Sequence, residues 1–284
     1  LCAGATERSI AFGNNDRPGV MLAAGVRAYV NRWGVAPGKR VAVFTNNDDG
    51  WRTALDLTAQ GINISAVIDA RNQQPAMDLP GVNIVMGGRI INSSGRKGLT
   101  SLQLANGRSI KADCLAVSGG WNPNVQLTCH QRGTPKWQDD IAAFVPGKDL
   151  PVGMVVAGAA NGTLTLGAAL RQGHDAGNAA AIAIGYNASG SQAPKAEDEP
   201  RGIIGFWHVA ESKTRAWFDL QNDVTVKDLR IAQSEGLHSV EHLKRYTTLG
   251  MATDQGKTSN LNGLQLVSKI EKKIIPEVGH TTFR

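Results

Sequence analysis

The turn Thr45-Asn46-Asn47-Asp48-Asp49-Gly50 joins an apolar run to a helical one. In a dinucleotide fold this is where backbone amides meet a pyrophosphate, and glycines let the backbone come close. Only Gly50 remains here, and Asp48 and Asp49 place negative charge where phosphate would sit. The turn is therefore read as scaffold. Asp69, at the end of the next apolar run, either accepts a ribose hydroxyl or simply closes a strand. Among His130, His174, His208, His238, His242 and His280, only His238 and His242 share an i, i+4 spacing, with no third metal ligand nearby. Neither HExxH nor GxSxG occurs, so metalloprotease and serine hydrolase chemistry have no support. Cys2, Cys114 and Cys129 form no CxxC pair, which argues against a zinc site or a disulfide framework and makes a reducing cytoplasm the default.

The elements that must position such groups follow from periodicity. Residues 19–33 carry Met21, Leu22, Val26 and Val30 at helical spacing, with Gly34 as a stop. Residues 39–44 predict a buried strand, 50–60 a helix ended by Gly61, and 62–68 a second strand. Together they make a βαβ unit of the dinucleotide-binding kind. From 82 to 116 short alternating runs broken at Ser94-Gly95 and Asn106-Gly107 predict an antiparallel meander. Further strands are expected at 115–120 and 154–158, and a long Ala-rich helix at 163–186. Residues 188–201, with SGSQAPKAEDEPR inside them, are polar and Pro-containing, as a linker is; a more charged module follows.

Three small-residue turns now stand out: Leu1 to Arg8 (LCAGATER), Gly120 to Asn124 (GWNPN) and Val155 to Gly162 (VVAGAANG). In this order they resemble the two-dinucleotide-binding-domain flavoproteins, whose ATG, GxxPN and GD turns punctuate the same architecture. The resemblance implies a Rossmann-like α/β fold. Residues 1–37 and 121–190 would be the remainder of a first dinucleotide-binding domain, with residues 38–120 a second, inserted one and 191–201 a linker. Two departures matter. The family's GxGxxG element does not occur within these residues, so the first domain is read as incomplete. Ala159 also stands where the GD aspartate would contact flavin, which disfavours ordinary FAD binding and leaves room for NAD.

The last module, residues 202–284, resembles the small α-helical iron–sulfur domain of bacterioferritin-associated ferredoxin type. Its four cluster positions correspond to Asp219, Gln221, Asp254 and Ser259. The spacing is kept and every thiolate is lost, so a [2Fe–2S] cluster has no soft ligands. The runs ATERSIAFGNNDRPGVMLA, AVSGGWNPN and RYTTLGMATDQGKTSN carry the resemblance further, to the alpha subunit of heterotetrameric sarcosine oxidase, over essentially the whole chain.

That resemblance implies an oxidoreductase of four different subunits. It oxidises sarcosine, an N-methyl amino acid, to glycine and a one-carbon unit, with hydrogen peroxide formed and tetrahydrofolate as the one-carbon acceptor. It implies FAD and FMN in the beta subunit, NAD in the alpha subunit, a folate domain beyond this stretch, and gamma and delta subunits as further partners. Carried over by position, Gly4, Gly158, Ala159, Leu164 and Leu166 would line the NAD site. Amides of 158–162 would face phosphate, and Lys257 and Thr258 would touch the flavin phosphate. No catalytic or metal-binding residue is carried over. Three rival readings remain: a non-catalytic assembly scaffold, a subunit of a related amine or opine oxidase, and a pyridine-nucleotide reductase using residues 38–70.

Bulk properties bound all of these. At 284 residues with 42% hydrophobic content and 33 glycines, the chain fits about two domains of ordinary α/β type. No apolar run is long enough to span a membrane. The formal charge of +6 points to acidic partners, either phosphate-bearing cofactors or nucleic acid. The scattered basic residues argue against nucleic acid. The chain opens at Leu1 with neither Met nor a leader and stops at Phe283-Arg284 without a closing element, so it is read as a fragment.

Overall fold

The structure, a computed structural model, describes residues 1–187 and 191–279. His280 and residues 188–190 of the expected linker lie outside them. The described residues form two compact units, Leu1–Thr6 with Trp121–Arg201, and Glu7–Gly120 with residues 202–279.

The second unit is built on a five-stranded parallel sheet in the order Val20–Leu22, Cys114–Ser118, Val41–Thr45, Ile64–Asp69, Ile84–Met86. Every residue of Val41–Thr45 is buried. This explains its unbroken apolar run, since a central parallel strand is covered on both faces and has no polar face to show. On one face Val41, Val43, Val67 and Ala116 pack against Val26 of the helix Ala23–Trp33 and Trp51, Ala54 and Leu57 of the helix Asp48–Ala59. On the other, Phe44, Ile68, Leu115 and Val117 meet Ile90, Leu102, Leu104 and Ile110 of a three-stranded antiparallel sheet. Each fully buried Leu, Ile or Phe of these layers contributes roughly 1.5–3 kcal/mol.

The same unit carries a helical region. A hairpin of Trp217–Asp219 and Val224–Thr225 leads into Val226–Ser234, followed by Val240–Thr247, Asn260–Glu271 and Ile275–Val278. Leu229, Leu243, Leu249, Leu266 and Val267 form its core. The first helix starts on a capping box, with Thr225 and Asp228 satisfying each other's end groups.

Several expectations need correction. Val20–Leu22, read as the first turn of a helix, is a strand that pairs with Leu115–Val117, and the helix begins only at Ala23. Both segments, grouped in sequence with residues 1–37, pair and pack with this sheet. Ile84–Met86 extends the parallel sheet beside Ile64–Asp69, so the meander is only Ile90–Ser94, Ser101–Leu104 and Ser109–Lys111. A short apolar run carries no sign of whether its partner is parallel.

In the first unit the helix runs Leu166–Ala183, three residues shorter at each end than expected, and Gly167 is its one buried residue. Residues 154–158 do not form a strand. Their backbone is tied to the chain's first residue instead: the Leu1 ammonium donates to Val155 O at 2.6 Å, and Ala157 N–H donates to Leu1 O at 3.0 Å. No helix among the described residues is long and apolar enough to cross a membrane.

Candidate functional site

The three small-residue turns are about 120 and 150 residues apart, and the first unit joins them by hydrogen bonds. Asn124 is the knot. Its N–H donates to Gly4 O at 3.0 Å, its side-chain Nδ2 donates to Ala3 O at 2.9 Å, and its Oδ1 accepts from Thr6 Oγ1 at 3.0 Å. Leu1 is held to residues 155 and 157 in turn. The GWNPN and ATG turns thus fix one another, and the VVAGAANG turn lies alongside.

At Gly4 and Gly158 the backbone is left-handed, with φ of 70° and 72°, and nothing stands within 4 Å of where a Cβ would be. Both positions leave open backbone that a flat ligand can approach. Gly162 is glycine for another reason: at φ 81° a Cβ would lie 2.7 Å from Val145 Cγ1. Leu164 is half-buried and Leu166 is 56% exposed, so the site edge is apolar. These features fit the uncharged faces of a dinucleotide.

Its phosphates fit less well. Residues 158–161 form one tight turn of their own, separate from the helix Leu166–Ala183. Gly158 N–H donates to Gln172 Oε1 at 2.7 Å, and the N–H groups of Gly162 and Thr163 return to Ala159 O and Gly158 O. At the longer helix one first-turn amide is also engaged: Ala168 N–H and the hydroxyl of the preceding Thr165 each donate to Asp198 Oδ1 at 2.7 Å, and Arg171 pairs with the same carboxylate. Arg171 and Thr165 hold that carboxyl at about 2, well below its ordinary range. A carboxylate from the 191–201 segment thus sits where an anion is favoured by the helix dipole. Sequence reasoning missed this; the signal was an acidic residue following a Pro-containing stretch, which reads the same as any solvated linker.

Lys257 and Thr258 belong to the other unit, in the turn before the helix Asn260–Glu271. Thr258 donates through both N–H and Oγ1 to Asp254 Oδ2, at 3.2 and 2.7 Å, and Lys257 Nζ reaches Asp254 O at 3.4 Å. Asp254 is therefore a turn builder. Asp219 behaves alike: it is 2% exposed and accepts from the N–H groups of Gln221, Asn222 and Gly250 at 2.8–3.0 Å. These two carboxylates spend their lone pairs on backbone amides. Ser259 is buried, and Asn260 is wedged so close to Gly250 and Gly256 that neither could carry a side chain. Among the described residues no three His, Cys, Asp or Glu side chains are grouped to hold a metal.

The turn at 45–50 is closed by the protein itself. Asn47 caps the helix Asp48–Ala59, accepting from Asp49 N–H and Gly50 N–H. Arg71 bridges Asp48 at 2.6 Å and Asp69 at 2.8 Å, while Trp51 Nε1 donates to Asp69 Oδ2 at 2.7 Å. Asp69 is fully buried, neither the ribose ligand nor the surface strand end that its position allowed. Residues 202–204 lie across the turn, with Gly202 N–H on Asp48 Oδ2 at 2.5 Å and Ile204 N–H on Asn46 O at 3.1 Å. The cavity beside it, lined by Arg71 to Ala76 and Arg89, has a volume of about 670 Å3.

Comparison with known proteins places this geometry. Residues 213–284 match the family described as the sarcosine oxidase A3 domain. Over its whole length the chain is 40% identical to the sarcosine oxidase subunit alpha of Rhizobium meliloti (strain 1021), and 38% identical to that of Corynebacterium sp. (strain P-1). It spans 29% and 32% of those proteins, about a third of their length. Among solved structures, L-proline dehydrogenase from P. horikoshii matches with a TM-score of 0.76 and 22% identity, covering 100% of this chain and 55% of that one. At that identity the likeness is one of fold: mixed α/β with a parallel sheet.

Proposed function

We propose, from the premise that the chain is similar from end to end to about a third of sarcosine oxidase alpha subunits, that it serves as the dinucleotide-fold portion of such a subunit. The enzyme would be a cytoplasmic oxidoreductase that demethylates sarcosine to glycine. It would form hydrogen peroxide and pass the one-carbon unit to tetrahydrofolate. Beta, gamma and delta subunits would complete it, with FAD and FMN carried by the beta subunit and supplying the redox chemistry.

In this reading residues 1–6 and 121–190 are a first dinucleotide-binding domain, 7–120 a second that takes in the strand and helix of 20–33, 191–201 a linker and 202–284 a ferredoxin-like helical module without cluster cysteines. NAD would lie along Gly4, Gly158, Ala159, Leu164 and Leu166, held by backbone approach and apolar contact. Lys257 and Thr258 would meet the flavin phosphate. The observation that carries the NAD assignment is the joining of the GWNPN and ATG turns by Asn124, and of the third turn through Leu1, with Gly4 and Gly158 left open.

A second reading has its own support. The Gly158 amide is taken by Gln172 and the helix N-terminus by Asp198, as in a scaffold whose pocket stays empty. Cofactor released from the purified multisubunit complex separates the two. A nicotinamide dinucleotide in about one-to-one ratio, lost when Gly4 and Gly158 are both changed to Val, is the expected result. Its absence from the parent complex would leave the scaffold reading standing alone.

A further inference from the structure

The loop 208–216 and the helix Val226–Ser234 enclose a cavity of about 260 Å3. Lys213, Arg215, Lys227 and Arg230 line it together with His208 and Ser212. No carboxylate is among its lining residues. We infer that this cavity is a binding site for a compact phosphorylated anion, independent of the nucleotide reading above.

Four cationic side chains around one small concavity repel one another, and an anion between them relieves that repulsion. Among the described residues none of the four has an ion pair or a side-chain hydrogen bond. Glu211, in the same loop, is not among the lining residues and acts on His208 through its charge, and the other acidic groups nearby are otherwise disposed. Asp228 is spent on the capping box with Thr225, and Asp223 and Asp228 face a neighbouring cavity that shares only Arg215 and Lys227.

The second observation is His208. It is 6% exposed, packs edge-on to Phe218 at 6.0 Å, and its ring nitrogens have no hydrogen-bond partner. Because His208 lines the cavity, a ligand there can supply the missing partner. Backbone bonds on both sides, Ala11 N–H to Trp207 O and Val209 N–H to Ala11 O, fix it at the cavity wall. Ser212 Oγ accepts from Gly13 N–H, which leaves its own proton to donate. Burial, Arg230 and Lys269 hold the imidazole down to about 4, with Glu211 opposing them, so it stands neutral and presents one N–H donor. Guanidinium forks, a hydroxyl and a ring N–H suit the tetrahedral oxygens of phosphate better than a planar carboxylate alone.

Calorimetric titration of the 284-residue chain with inorganic pyrophosphate at fixed ionic strength tests the site. One saturable site is expected, weakened at least tenfold by Lys213→Gln with Arg230→Gln. It should be unchanged by Lys39→Gln with Lys111→Gln, which removes two charges elsewhere. All four positions are exposed, and unaltered melting curves are expected; the Arg230→Gln single variant reads the same effect at smaller size. The His208 imidazole resonance should move with pyrophosphate in the parent and stay still in the weakened variant. Absence of saturable binding, equal weakening by both double variants, or citrate binding as tightly as pyrophosphate would overturn the assignment.

Discussion

Glu7 is a carboxylate in a place that resists its charge. It is 4% exposed, and burial pushes its pKa up to about 7, against the Ala24 N–H that donates to it at 2.7 Å. The unfolded chain titrates this group near the ordinary glutamate value of 4.5. Folding is therefore unpenalised below that pH, loses stability between the two values, and carries the full cost above the folded pKa. The difference amounts to about 3 kcal/mol. Glu7→Gln keeps an oxygen for Ala24 and removes the charge. Thermal melts should show the variant more stable than the parent at pH 8 and equal to it at pH 4. The thiols offer a second check at this scale. Cys114 is fully buried and its pKa is pushed up to about 12, while Cys2 is exposed. A disulfide reagent at neutral pH should modify Cys2 within minutes and leave Cys114 untouched until denaturant is added.

Among the elements, the segment 191–201 is attached at two points, Asp198 and Ser191. Asp198 holds Thr165, which precedes the helix Leu166–Ala183, and Ala168 and Arg171 within it, and His174 Nε2 lies 2.8 Å from Ser191 O. Asp198→Asn should loosen this strap, so that limited proteolysis cuts within 191–201 several times faster than in the parent. The strap also marks where sequence stops being informative. Strands 41–45, 64–69 and 114–118 were legible because a doubly covered parallel strand must be apolar throughout. The helix at 48–59 was legible from its period, but its start was read at Gly50, because Asn47 was taken as part of a phosphate-type turn and not as a cap. What escaped was pairing over distance. Nothing near Asp69 announces that Arg71 and Trp51 will consume it, nothing near Asp198 announces a helix end, and Ile84–Met86 is too short to declare a parallel neighbour. Of the site residues, Gly4 and Gly158 were visible as glycines in turns. Asn124, which ties those turns, looked like the end of a motif, because its role depends on a segment some 120 residues away.

At the level of the molecule the two units are unequally built. All three hydrophobic clusters, around Phe44, Trp51 and Leu229, belong to the unit of Glu7–Gly120 and residues 202–279. The chain leaves that unit after Gly120 and re-enters at Gly202, and Ile203 Cδ1 lies 2.6 Å from where a Gly120 Cβ would be. Residues 7–120 joined by a short glycine linker to 202–279 should therefore fold alone, with a cooperative melt and far-UV spectrum of mixed α/β type. Hydrogen exchange on the full chain should be slowest in 41–45, 64–69 and 114–118, and fast through 166–183, where Gly167 is the one buried residue.

The piece that finishes the sheet's end arrives late. Gly202, whose carbonyl accepts from Arg71, lies 131 residues further along the chain. At the usual 5–20 residues per second, a ribosome takes roughly 7 to 26 s to travel between them. During that interval Asp48, Arg71 and Asp69 stand at the rim of a nearly finished nascent sheet with no backbone laid over them. Birth order thus gives this rim a period in which Arg71 bridges Asp48 and Asp69 before residues 202–204 are laid across it.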